Sequence, residues 1–92
     1  MEINFYATLR QIAGQKTVEF PFTGDVTVQD LVDAVVERFP PMRDELLDED
    51  GDLYPHVHVF VNGRDAPYLP DAMDTVVHPD DKVDVFPAVA GG

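Results

Sequence analysis

One stretch of this chain repeats its apolar residues at helical spacing, and stretches on both sides repeat theirs at strand spacing. That change of period limits the fold more than any other feature. Val28, Leu31, Val32, Val35, Val36 and Phe39 follow the i, i+3, i+4, i+7, i+8, i+11 pattern that gathers apolar side chains on one helix face. Thr27 stands at the N-cap position with Asp30 three residues on, a short variant of the capping box, and Pro40-Pro41 stops the helix. A lone amphipathic helix cannot bury its stripe by itself, so strands must supply the surface on which it lies.

The strands are read from alternation. Residues 2–9, EINFYATL, place Ile3, Phe5, Ala7 and Leu9 on one face and Asn4, Tyr6 and Thr8 on the other, which predicts a half-buried strand. Residues 10–16, with Gly14, read as a connection with room for one helical turn. Val18, Phe20 and Phe22 predict a second strand in a hairpin with the first, and Pro21, lacking an amide hydrogen, puts it at a sheet edge. Residues 42–47 read as a short helical turn and residues 48–52 as a polar loop. Val57, Val59 and Val61 alternate with His56, His58 and Phe60 as a third strand, closed by the tight-turn pair Asn62-Gly63. Residues 64–78 read as irregular, and Pro79-Asp80-Asp81 as a turn. The final strand carries Val83 and Val85 on one face and Asp84 and Phe86 on the other. This order fits an α+β fold, a mixed sheet with one main helix packed across one face, and a β-grasp is the most economical topology. A chain of 92 residues supports one core, so the domain is read as residues 1–86 and residues 87–92 as a flexible tail ending in Gly-Gly.

Composition then removes whole classes of function. With no cysteine there is no disulfide, thiolate metal site, iron–sulfur ligation or cysteine nucleophile, and with no serine there is no serine nucleophile. Eighteen acidic residues against six basic give a net charge of −12, a surface that repels nucleic acid and anionic membranes and suits a basic protein partner. Only Lys16 and Lys82 are lysines, and the aspartate-rich excess is consistent with a high-salt host. No apolar run approaches the ~18 residues needed to cross a bilayer, and no leader pattern opens the chain, so the cytoplasm is the expected compartment.

Candidate chemistry in the body of the chain is thin. His56 and His58 have metal-ligand spacing on a strand, but only His78 remains as a further histidine, and no third ligand stands at a diagnostic interval. Asp48, Asp50 and Asp52 open like a calcium loop, yet Leu53 occupies the glycine position and Val59 the place of the bidentate glutamate. No metal site and no intrinsic catalytic residue is therefore assigned. The C-terminus remains: a terminal Gly91-Gly92 pair has no Cβ at the reacting carbon and can thread a narrow channel in extended form. Converting its carboxylate to an acyl-adenylate would supply a good leaving group for attack by sulfide, a thiol or an amine.

The segment DKVDVFPAVAGG resembles the C-terminus of the MoaD/ThiS family of ubiquitin-like β-grasp sulfur carriers, and especially the small archaeal modifier proteins. FYATLRQIAGQK, VTVQDLVDAVVERFP and HVHVFVNGRDA agree with it, so the similarity spans nearly the whole chain. One departure is Ala88, where family tails often carry a second proline. The resemblance implies a protein cosubstrate rather than an enzyme, with no bound cofactor, whose Gly92 is adenylated by a ubiquitin-activating-type enzyme that uses ATP and Mg²⁺. Gly91 would provide clearance. Two fates are implied: an isopeptide bond to a lysine of a target protein, or a thiocarboxylate that delivers sulfur, for example with the large subunit of molybdopterin synthase or to a tRNA base or thiamine precursor. Lys16 and Lys82 are the sites on which another copy could be joined. If the valines of the third and last strands face the helix, Phe60 and Phe86 point outward, and with Tyr6 and His58 they are the expected partner-docking residues. Asp80, Asp81 and Asp84 are candidates for steering a basic enzyme. A non-covalent β-grasp binding module is the remaining alternative.

Overall fold

In a computed structural model, which describes residues 1–87, the chain forms seven strands and three α-helices. They run β1 (Glu2–Phe5), α1 (Thr8–Ala13), β2 (Thr17–Glu19), β3 (Val26–Thr27), α2 (Val28–Arg38), α3 (Arg43–Leu46), β4 (His58–Val61), β5 (Arg64–Asp65), β6 (Val76–Val77) and β7 (Val83–Phe86). Five strands make one mixed sheet in the order β2-β1-β7-β4-β5, and β3 and β6 pair separately. The centre of the sheet is the parallel pair β1 and β7, with β2 antiparallel to β1 and β4 antiparallel to β7. This is the β-grasp arrangement.

Helix α2 forms where its period requires. Thr27 accepts the amide of Asp30, while the Asp30 carboxylate accepts the amide of Thr27, so the capping box is complete. Val28, Leu31, Val32 and Val35 are buried, and Leu31 and Val35 meet Ile3, Val59, Val83 and Val85 across the seam between helix and sheet. The helix ends at Arg38 before the two prolines, which open a 3₁₀ turn over Pro40–Met42 leading into α3. Among the described residues no helix is long and apolar enough to cross a membrane.

Four expectations need correction. The second strand ends at Glu19, short of Phe20, Pro21 and Phe22. The first strand stops at Phe5, not at residue 9, because Ala7 adopts φ 54° and turns the chain into α1. Leu9 still reaches the core, from the helix, and Leu9, Ile12 and Ala13 have the i, i+3, i+4 spacing that the alternation had masked. Gly14 closes α1 in the left-handed region, at φ 79°. The third strand begins at His58, leaving His56 in an exposed turn. Residues 64–78 are not irregular throughout: Asn62 and Gly63, both at positive φ, turn β4 into β5, and β6 pairs with β3. Of the residues read as a tail, Pro87 is buried, while residues 88–92, including Gly91 and Gly92, lie outside the described residues.

Candidate functional site

The sheet has two faces, and α2 covers only one. On β4 and β7 the valines Val59, Val61, Val83 and Val85 are buried, so His58, Phe60, Asp84 and Phe86 project to the other side. Strand register then fixes which of these become neighbours. His58 lies opposite Phe86, and Phe60 opposite Asp84. On the far side of β7, Asn4 lies opposite Asp84, and Phe5 opposite Val85, so Tyr6 arrives next to Phe86. The Tyr6 and Phe86 rings stack at 4.2 Å between centroids and 9° between planes, and Phe60 stands edge-on to Phe86 at 5.6 Å. His58 stacks on Phe60 at 5.6 Å. All four expected docking residues thus form one half-buried cluster.

Two side chains that the sequence did not assign to docking extend this cluster. Tyr68, exposed at 63%, comes within 6.3 Å of His58 and donates its hydroxyl hydrogen to the carbonyl of Pro55. Lys16 places its ammonium 5.3 Å over the Tyr6 ring. Neither was legible in the sequence, since each depends on a loop returning to the sheet.

The polar partners are equally ordered. Asp84 is not a solvated steering group: at 8% exposure it is the buried acid of the chain's described part, and its Oδ1 accepts from the Tyr6 hydroxyl at 2.9 Å and Asn4 Nδ2 at 3.0 Å. Thr17 donates to Asn4 Oδ1 at 2.6 Å, which extends the row to β2. The hydrogen bond to Asp84, then burial, then the negative charge of Asp84 hold the Tyr6 phenol above its ordinary value of 10.0. At the other edge His58 Nδ1 lies 2.5 Å from Asp65 Oδ2, so His58 is engaged by a carboxylate and does not pair with His56. Asp81 accepts the amide of His78 and Asn62 Nδ2, contacts that hold its carboxyl below the usual 3.8 and tie the turn together. Asp80 is exposed.

The carboxylates of Asp48, Asp50 and Asp52 come within 4.8 Å of one another. Asp48 Oδ1 is spent on the amides of Asp50 and Asp52, a loop fastening its own backbone.

The aromatic cluster sits where the last strand ends: Phe86 is the final residue of β7, and the segment Ala88 to Gly92 follows Pro87 in sequence. Residues 3–92 match the ThiS family. Small archaeal modifier protein 3 of Haloferax volcanii is 39% identical over 92 residues, covering 100% of this chain and 98% of that protein. The crystal structure of small archaeal modifier protein 1 from the same organism superposes with a TM-score of 0.82 at 35% identity, covering 99% of this chain and 97% of the other. A chain of the BexX/CysO complex of Amycolatopsis orientalis matches with a TM-score of 0.77 at 28% identity, covering 99% and 98%.

Proposed function

The chain belongs to the ThiS family of ubiquitin-like modifiers and sulfur carriers, whose members are carriers rather than enzymes, and on that premise we propose that Gly92 is adenylated by a ubiquitin-activating-type enzyme and joined to lysines of target proteins. The Gly92 carboxylate attacks the α-phosphorus of ATP, which the partner enzyme binds with Mg²⁺, and pyrophosphate leaves. A neutral target amine then attacks the activated carbonyl, AMP departs, and an isopeptide bond remains. Gly91, without a Cβ, gives the reacting end its clearance.

The observation that carries this reading is the position of the aromatic cluster. Phe86 ends β7 inside the group formed by Tyr6, Phe60 and His58, so an enzyme that seats Gly92, six residues further along the chain, has that face within reach. Clustered aromatics with polar groups around their edge are the composition of a protein-docking surface. Sulfur carriage is a second fate of the same adenylate: sulfide displaces AMP, and the thiocarboxylate serves an acceptor such as the large subunit of molybdopterin synthase. Membership in the ThiS family supports it.

Deletion of Gly91-Gly92 is expected to abolish ATP–pyrophosphate exchange by the host's activating enzyme while leaving the melting temperature unchanged; undiminished exchange would refute the reading. The fates separate by mass. Lys82 is the last tryptic site, so a modified lysine retains the branch VDVFPAVAGG. That branch on other proteins identifies a modifier, an unbranched peptide with sulfur replacing a terminal oxygen identifies a dedicated carrier, and the free acid alone leaves a non-covalent binding module.

A further inference from the structure

Asp84 is an anomaly of the docking face. Its neighbours along the outer surface are Phe60 on β4 and Asn4 on β1, and its side chain is only 12% exposed. One oxygen, Oδ1, is fully used by Tyr6 and Asn4. Among the described residues, the other, Oδ2, has only the ammonium of Lys82 nearby, at 3.9 Å, on a side chain that is itself 70% exposed. While the face is open, water can complete the solvation of Oδ2. Covering the face removes that water, and a carboxylate oxygen left without a donor opposes binding.

We propose that Asp84 reads the activating enzyme: when that enzyme covers the aromatic cluster, one of its arginines meets Asp84 Oδ2 between Phe60 and Phe86. The inference rests on the docking reading above. Arginine fits the site better than lysine for two reasons. Its planar fork donates to a carboxylate from a fixed geometry, and its flat faces stack on aromatic rings, of which Phe86 and Phe60 are presented edge to face 5.6 Å apart. The net charge of −12 favours a basic partner in general, whereas a half-enclosed carboxylate with one oxygen already committed demands a cation at one place.

The test is ATP–pyrophosphate exchange by the host's adenylating enzyme, with this chain as the varied substrate. Asp84→Asn keeps an oxygen for Tyr6 and Asn4 and removes the charge. Its KM is expected to rise about tenfold with kcat unchanged, and the effect is expected to persist in molar KCl, because an enclosed pair is poorly screened. Asp80→Asn, on the exposed turn, is expected to alter KM only at low salt. An unchanged or lowered KM for Asp84→Asn overturns the proposal, since removing an unmet charge would ease docking. If Asp84→Asn does not fold, as judged by thermal melting, Lys82→Met decides: loss of the internal competitor lowers KM if an enzyme cation takes Asp84, and an unchanged or raised KM overturns the proposal. Absence of exchange with the wild-type chain would instead refute the docking and adenylation reading itself.

Discussion

Ala7 holds the least comfortable backbone next to the site. At φ 54° and ψ −129° it occupies a region that glycine enters freely and a Cβ does not. The conformation has a purpose: it turns the chain from β1 into α1 just after Tyr6 has joined the aromatic face. Ala7→Gly is expected to raise stability by about 0.5–1 kcal/mol, the relieved strain exceeding the added entropy of the unfolded chain, and to raise the melting temperature by a few degrees. An unchanged or lower melting temperature would show that Ala7 is not strained. Tyr6 itself gives a pH dependence. Its folded pKa is raised, so its contribution is complete below the unfolded value near 10 and is lost as pH rises through the higher folded value. Tyr6→Phe is expected to lower stability by about 1 kcal/mol at pH 7, where a buried carboxylate loses a donor. Above pH 10 wild type and variant should converge in urea unfolding; parallel curves would mean that the Tyr6–Asp84 bond contributes nothing. The outward direction of Phe60 and Phe86 was legible, because alternation alone sets it. The enclosure of Asp84 was not, since its partner Tyr6 lies 78 residues away and the register of β1 against β7 decides the contact.

Among the elements, α2 was legible at both ends because cap, stripe and stop all lie within its own residues. Thr27→Ala removes the acceptor for the Asp30 amide and is expected to cost about 1 kcal/mol in urea unfolding, with Thr27→Ser restoring most of it. A cost near zero would mean that the amide of Val28, bonded to the carbonyl of Thr75, already fixes this end of the helix. The strands β3, β5 and β6 were illegible for the opposite reason. Two residues cannot display alternation, and their pairing exists only because partners are brought to them. The ribbon of β3 and β6 is tied at one end by His78 Nδ1, 2.6 Å from Asp25 Oδ1. That hydrogen bond first, and the charge of Asp25 second, raise the His78 pKa above 6.5. The tie is therefore complete below the ordinary histidine range and is lost as pH rises through the raised value. Amide exchange at residues 26–27 and 76–77, corrected for its intrinsic rate, should accelerate across that window in wild type and stay flat in His78→Asn. Equal profiles would show that strand pairing alone holds the ribbon.

For the whole molecule, the same period change that set the fold class leaves the surface free to carry charge, and eighteen acidic against six basic residues is a surface at odds with compactness in dilute buffer. The molecule measures 35 × 30 × 23 Å, so at 0.01 M salt, where the Debye length is about 30 Å, nearly every carboxylate repels every other. At 1 M that length is about 3 Å, and only direct neighbours interact. The core does not change between these conditions, so the change in stability should measure self-repulsion alone. The melting temperature is expected to rise by several degrees from 0.01 to 1 M KCl. Asp50→Asn with Asp52→Asn, both exposed beside Asp48, should recover part of that rise at low salt and a smaller part at 1 M, where only the repulsion among these three neighbouring carboxylates survives screening. A salt-independent melting temperature would remove the link between acidity and a high-salt host. A rise produced equally by millimolar divalent cation in wild type, but not in the double variant, would instead trace the effect to the Asp48–Asp50–Asp52 loop rather than to the charge of the molecule as a whole.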